Sequence, residues 1–316
     1  MSPRATLLEL PSLDELTRNP AGLMTCIDPL LPIQDRIVRN VNDTKTPTTR
    51  RIPRVIHVSF KSRCLPPEMY DAMEVWKTAL PYHSFYFHDD QAVDRLFALS
   101  FPEFPQLKSL MRCVLFRGAM KIDVWRMYLY GGIYSDMDQY PIQETFGEVS
   151  PIGQDDYAFF LSDSWNRPSQ WFFAAVKRHP ILYFTMQEIF LRLHKLEDVE
   201  RPNVVFVTGP DAVKFGYGIS MGWKTDLGKD IYQEGTHKCL PKFGDYTVTK
   251  KRNTEHYMKQ LDMKEMVQWN ETHRITRKQR IEWQSGVQHW MDEKNSRMRK
   301  FGGTCLELLY SLDAMT

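Results

Sequence analysis

The chain has 316 residues, of which 42% are hydrophobic and 25% charged, with a formal net charge of +2. That composition excludes a chain disordered throughout, and the length suits one large α/β domain or a catalytic domain with helical additions. The near-neutral total hides an uneven distribution: Lys250 to Lys300 holds thirteen Lys/Arg against seven Asp/Glu, a basic stretch on a slightly acidic body. Aromatics reach 13%, which suits extra core packing and also a cleft for sugars or bases. The five cysteines, Cys26, Cys64, Cys113, Cys239 and Cys305, are scattered without CxxC spacing. This argues against a disulfide framework or a structural zinc site and leaves room for one or two isolated disulfides. No basic start is followed by a long apolar run, and no window approaches the ~18 apolar residues of a membrane span, so the chain as written reads as soluble. Asn42-Asp43-Thr44 and Asn270-Glu271-Thr272 fit the glycosylation sequon, a triplet common by chance.

Residues 1–50 read as a lead-in, with a short helical pattern around Leu7 to Leu16 and a linker over Asn42 to Arg51. A β-branched run after Pro53, Val55 to Phe60, predicts a buried strand. Pro66-Pro67 opens a helix through about Ala79, with Met69, Met73 and Trp76 at helical spacing. Phe85 to His88 predicts a second strand, and Asp89-Asp90 can cap a helix running to about Leu99. A long helix is predicted over Leu107–Tyr130, stopped by Gly131-Gly132. Ile133 and Tyr134 then start a strand that ends at Asp136-Met137-Asp138. Further strands are expected at Tyr157–Leu161, Trp171–Ala175 and Val204–Val207, with a helix from Pro180 to about Leu193 between the last two. After about Lys250 the pattern reads as helical and charged. The alternation of strands and helices points to an α/β fold with a parallel sheet and covering helices.

The chemistry concentrates around one block. Asp136 and Asp138, one residue apart at a strand end, can both reach a single hard cation such as Mn²⁺ or Mg²⁺. They lie where open α/β sheets place ligands, outside the carboxyl ends of the strands. D-x-D alone is weak, because two surface acids in a turn give the same triplet. Asp123 and Arg126 share a face of the preceding helix at i and i+3, set among Ile122, Val124, Trp125, Met127 and Leu129. A local ion pair would account for their spacing; a carboxylate and guanidinium aimed at a ligand near the cation would account for their apolar setting as well.

The run from Arg117 to Asp138, RGAMKIDVWRMYLYGGIYSDMD, resembles the core signature of glycosyltransferase family 32. This family includes yeast-type initiating α-1,6-mannosyltransferases and inositol phosphoceramide mannosyltransferases. More distantly the run is similar to the glucosyltransferase domains of large clostridial toxins. Ala119, Asp123, Arg126, Leu129, Gly131, Gly132, Tyr134, Asp136 and Asp138 carry the ordered match. Ile52 to His57 resembles the family's first strand; Trp76, Pro81, Asp89-Asp90, His179 to Leu182 and Thr208-Gly209-Pro210 resemble further landmarks. The likeness spans roughly residues 52–220 and thins towards both ends.

The resemblance implies a GT-A type nucleotide-sugar-binding fold, a Rossmann-like mixed sheet flanked by helices, here with a helical C-terminal addition. It divides the chain into a lead-in over 1–50, a catalytic domain over 51–250 and a basic C-terminal segment over 251–316. It implies retaining transfer of a sugar from a nucleotide diphosphate donor, with Mn²⁺ or Mg²⁺ as cofactor. GDP-mannose is favoured, ahead of UDP-galactose, UDP-glucose and UDP-N-acetylhexosamines, and the acceptor is a glycan, a glycolipid or a protein. By position, Asp138 would bind the metal, Asp136 the metal or the donor ribose, and Asp123 and Arg126 the transferred sugar. His57, Val58, Ser59 and Tyr134 would line the donor pocket. The family usually carries a late His before a tryptophan motif near the metal; His289-Trp290 is the best candidate here, although the residues after Trp290 do not match. The eukaryotic relatives imply a Golgi lumen; the chain as written, without signal or span, fits the cytoplasm. The basic C-terminal segment could touch a membrane surface or an acidic partner. Acids interrupt its Lys/Arg and Trp pattern, so nucleic acid is not expected. A phosphohydrolase or nuclease would need further ligands for a second metal, and no such cluster stands out. A non-catalytic binding protein on the same fold would have less reason to keep Asp123, Arg126, Asp136 and Asp138 together.

Overall fold

The computed structural model describes residues 10–18, 25–33, 50–60, 62–99, 123–137, 139–141, 157–162, 167–194, 204–220, 259–261 and 267–269. Its centre is a six-stranded mixed sheet flanked by helices. The strands in chain order are β1 Leu31–Pro32, β2 Val55–Ser59, β3 Cys64–Leu65, β4 Ser84–His88, β5 Gly132–Asp136, β6 Gln139–Pro141, β7 Ala158–Ser162, β8 Pro168–Ala175, β9 Lys259–Leu261 and β10 Val267–Trp269. The helices are α1 Leu13–Thr17, α2 Pro67–Ala79, α3 Asp90–Ala98, α4 Asp123–Tyr130, α5 Pro180–His194, α6 Val204–Val207 and α7 Pro210–Ser220.

The large sheet runs β4-β2-β5-β8-β7-β9. β4, β2 and β5 are mutually parallel, which places His88, Ser59 and Asp136 at one end of three adjacent strands; Ser59 pairs in register with both others. Beyond β5 the sheet turns antiparallel through β8 and β7, and β9 adds parallel to β7.

Alternation along the central strands decides what each face buries. Ile56, Val58, Ile133, Phe172 and Ala174 face a cluster with Met69, Met73 and Trp76 of α2. Trp76 stacks on Phe172 at 5.5 Å between ring centroids. The opposite face takes Tyr134, Phe173 and Ala175, packed with Phe160 against Val124, Trp125 and Met127 of α4 and Ile181, Leu182 and Met186 of α5. β2 is covered on both faces: Ile56 and Val58 join the α2 side, while His57 on the opposite face is fully buried as well.

Local chemistry sets the boundaries. Ser12 and Glu15 form a reciprocal capping box at the start of α1. The Asp89 side chain accepts from the Ala92 amide at 2.8 Å and caps α3. Gly131 adopts φ +66° while its amide bonds to the Met127 carbonyl at 2.9 Å, the left-handed stop that ends α4.

Two sequence expectations change. Val204–Val207 is one helical turn, not a strand. Val207 is buried, whereas Val205 and Phe206 are exposed. The Arg192 guanidinium donates to the Phe206 carbonyl and lies over its ring. A short apolar run cannot by itself distinguish a strand from a helical turn, and here Gly209 decides: a Cβ there would lie 2.5 Å from the Val205 carbonyl oxygen. The region after Lys250 is not helical where it is described. Lys259–Leu261 extends the main sheet, and Val267–Trp269 pairs antiparallel with Gln139–Pro141. Pairing with β7 and β6 sets these two strands within a charged region. The long helix expected from Leu107 is described only from Asp123; its first part, the 42–49 linker, Asp138 and His289 lie outside the described residues.

Cys26 and Cys64 form a disulfide that ties the chain ahead of β1 to β3 across a sequence separation of 38. Closing a loop of that size is worth about 3–4 kcal/mol in the chain-entropy account. Cys64→Ser is therefore expected to lower the denaturant midpoint measurably, and dithiothreitol to lower it equally in the parent chain while leaving the variant unchanged. No helix among the described residues is long and apolar enough to cross a membrane.

Candidate functional site at the carboxyl end of the sheet

β2 and β5 end side by side, with Ser59 opposite Asp136. The α4–Gly131-Gly132–β5 reversal brings the first turn of α4 to the same end. Five residues expected from the sequence meet there: Ser59, Asp123, Arg126, Tyr134 and Asp136.

Their polar contacts form one connected chain. The Tyr134 hydroxyl donates to Asp136 Oδ1 at 2.6 Å and lies 3.2 Å from Ser59 Oγ. Ser59 Oγ reaches Asp123 Oδ1 at 3.5 Å. Arg126 Nη2 donates to the same Asp123 oxygen at 2.6 Å, and its guanidinium lies 5.8 Å from the Tyr134 ring centroid. Asp123 and Arg126 are buried, at 3% and 2% exposure, while Asp136 is half-buried at the open end of its strand.

The spacing of Asp123 and Arg126 fits either a weak surface pair or a ligand-directed pair. The structure shows a buried ion pair, not a surface one. An ion pair taken out of water costs several kcal/mol per ion unless every polar atom is satisfied. Arg126 Nη1 is buried without a hydrogen-bond partner among the described residues. A guanidinium offers donors in a fixed fork, so the pair holds one arm of the fork on Asp123 and leaves the other unspent at the site.

Electrostatics fix the states of the others. Burial, and then the carboxylates of Asp123 and Asp136, push the Tyr134 phenol well above its ordinary range, so it stays a hydrogen-bond donor. Burial lowers Arg126, and the Asp123 carboxylate works against that shift.

His57 and Val58 contribute differently from Ser59. Both side chains are fully buried. His57 Nε2 lies 2.9 Å from the Gly131 carbonyl, and Nδ1 lies 3.0 Å from His88 Nε2. A carbonyl can only accept, so His57 carries its proton on Nε2 and receives the His88 N–H at Nδ1. Nothing in the local sequence marks His88 as a partner for His57; its place at the end of β4, level with Ser59, is the one available signal. Together the two imidazoles brace the Gly131-Gly132 reversal from beneath the site.

These histidines make stability acid-sensitive. Burial first, and then Arg126, lower His57 to about 3; burial lowers His179 to about 3. His88 is also driven well below its ordinary value. In the unfolded chain each takes up a proton below about 6.5; in the folded chain the uptake waits until about 3 for His57 and His179. The unfolded state thus binds more protons in between. Stability is fully present above about 6.5 and falls as pH drops towards 3. Urea midpoints at pH 7.5 and pH 5 check this: the midpoint should be lower at pH 5, and unfolding there should take up protons.

No group of three or more His, Cys, Asp or Glu able to hold a metal occurs among the described residues. Asp136 supplies a hard oxygen donor of the type Mn²⁺ or Mg²⁺ takes; Asp138 and His289, the other expected ligands, fall outside them.

No protein-family profile matches the chain, and no curated protein matches it. Among solved structures it is similar to a chain titled "PaToxG Glycosyltransferase", at 14% identity and a TM-score of 0.43, over 67% of this chain and 85% of that one. A likeness that remote assigns neither fold nor activity, and both rest on the chain's own residues.

Proposed function

We propose that this chain is a glycosyltransferase that moves a hexose from a nucleotide diphosphate donor to an acceptor, with retention of anomeric configuration and dependence on a divalent cation. The observation that carries the reading is the convergence of Asp123, Arg126, Tyr134, Ser59 and Asp136 at the carboxyl ends of two parallel strands. Open α/β sheets bind nucleotides there. A buried arginine with an unspent donor faces the needs of an anionic, hydroxyl-rich ligand better than those of a packing core.

In this reading Asp123 and Arg126 hold the sugar, and Arg126 Nη1 also reaches the diphosphate. Tyr134 orients the Asp136 carboxylate towards the ribose or the metal. Asp138 binds Mn²⁺ or Mg²⁺ directly, with His289 as a further ligand. The cation would act as a Lewis acid on the departing diphosphate. GDP-mannose is the favoured donor, followed by UDP-linked galactose, glucose and N-acetylhexosamines, and the acceptor is a glycan, glycolipid or protein. The Cys26–Cys64 disulfide favours an oxidising compartment such as the Golgi lumen over the cytoplasm. The basic segment after Lys250 would contact the membrane surface peripherally.

A donor screen tests the reading. The full chain is incubated with Mn²⁺ and each of GDP-mannose and the UDP-hexoses, with simple acceptors, and released nucleotide diphosphate is measured. Release from one donor, abolished by EDTA, is expected. Silence from every donor, with and without acceptors, counts against a transferase.

A further inference from the structure

The opposite end of the same sheet gathers a second set of charges. The stretch Arg50-Arg51-Ile52-Pro53-Arg54 leads into β2. Ile52 is 1% exposed, anchored in the core beneath α2. That anchor fixes the arginines on either side of it. The Arg54 carbonyl accepts the Ser84 amide at 2.8 Å, and Val55 pairs with Ser84, so His83 sits beside Arg54 at the amino ends of β4 and β2. His83 is 3% exposed, and its Nδ1 is buried with no hydrogen-bond partner among the described residues; Arg50 Nε is buried and likewise unpartnered among them.

A buried polar atom without a partner is unfavourable, and two in one place beside clustered positive charge need a reason. Burial first, and then the cations Arg50 and Arg54, lower His83 to about 3. Burial and Arg54 lower Arg50 to about 10. Arg51, alongside, lies over the Tyr157 ring at 4.1 Å. Beside these cations, an acceptor carrying negative charge would meet both His83 Nδ1 and Arg50 Nε.

We propose that Arg50, Arg54 and His83 form a binding site for a phosphate-type oxyanion at the amino-terminal end of β2 and β4. A neutral His83 donates from Nδ1, Arg50 donates from Nε, and the Arg54 guanidinium supplies further charge. β2 has five residues, so this site lies roughly 15 Å from Ser59 along the strand, apart from the donor site. The oxyanion has two sources, a soluble phosphate or the headgroup of a phosphate-bearing lipid.

The test uses the full chain in EDTA, so that cation-dependent ligands of the other site do not contribute. Inorganic phosphate is titrated while melting temperature is followed, and co-sedimentation is measured with phosphatidylcholine vesicles with and without phosphatidic acid. A saturable rise in melting temperature that disappears in Arg50→Gln and His83→Gln, weakens in Arg50→Lys and survives in Arg126→Lys supports a soluble phosphate. Phosphatidic-acid-dependent sedimentation lost in the same variants supports a lipid headgroup. Absence of both effects in the parent chain, or their persistence in Arg50→Gln, overturns the site. Should the variants misfold by circular dichroism, phenylglyoxal labelling of the parent chain replaces them: phosphate or vesicles should protect Arg50, and equal labelling with and without both sinks the proposal. None of these readouts requires sugar transfer, so failure here leaves the donor reading intact, and the converse holds.

Discussion

Arg126→Met is expected to cost about 3–5 kcal/mol of stability, because it strands the Asp123 carboxylate in a buried setting without its partner. The guanidinium is 2.6 Å from Asp123 Oδ1, and both side chains are almost fully enclosed. Removing both charges together should cost much less: Asp123→Asn with Arg126→Met replaces a broken ion pair by a neutral amide, and the double-mutant cycle should show strong positive coupling in urea unfolding. Additive effects would mean that the two charges do not stabilise each other. Arg126→Lys keeps the charge and much of the stability. It loses the planar fork, and on the proposed donor reading turnover should fall about 100-fold or more.

The second large effect lies in the turn that aims these residues. Gly132 adopts φ +113°, and a Cβ there would lie 2.5 Å from the Val55 carbonyl oxygen and 3.3 Å from His57 Nε2. Neither neighbour is a flexible side-chain end: one is backbone in the central strand, and the other is an imidazole held between Gly131 and His88. Gly132→Ala combines a strained backbone with a steric clash, and a loss of about 3 kcal/mol or more is expected. The variant should show a much lower urea midpoint or fail to accumulate as soluble protein. Ordinary stability would mean that β2 and β5 separate at low cost.

The Gly-Gly reversal is also where the sequence is most informative. A glycine pair after an apolar helix and before Ile133 and Tyr134 has few structural readings, and the placement of Asp123, Arg126, Tyr134 and Asp136 comes from helix and strand periods on either side of it. The central strands are legible because β-branched and aromatic residues dominate Val55 to Phe60 and Phe85 to Phe87, and Pro53 and Asp89 mark their borders.

The features that escape the sequence depend on contacts between distant residues. The pairing of Cys26 with Cys64 cannot be chosen from five scattered cysteines. His57 and His88 become partners only because β2 and β4 align in parallel register. Val204–Val207 has strand-like composition, yet its conformation is set by Arg192 and by the close approach of Gly209 to Val205. The strands at Lys259–Leu261 and Val267–Trp269 occupy charged sequence and exist because β7 and β6 offer them an edge.

The most direct test of the central claim is calorimetric binding of GDP and UDP in the presence of Mn²⁺, for the parent chain and for Asp136→Ala. One nucleotide diphosphate should bind the parent, and the substitution should weaken it by at least tenfold, about 1.4 kcal/mol, while His83→Gln at the far end of the sheet leaves it unchanged. Equal affinity in the parent and in Asp136→Ala, or no binding of either nucleotide, would contradict a donor site at the ends of β2 and β5.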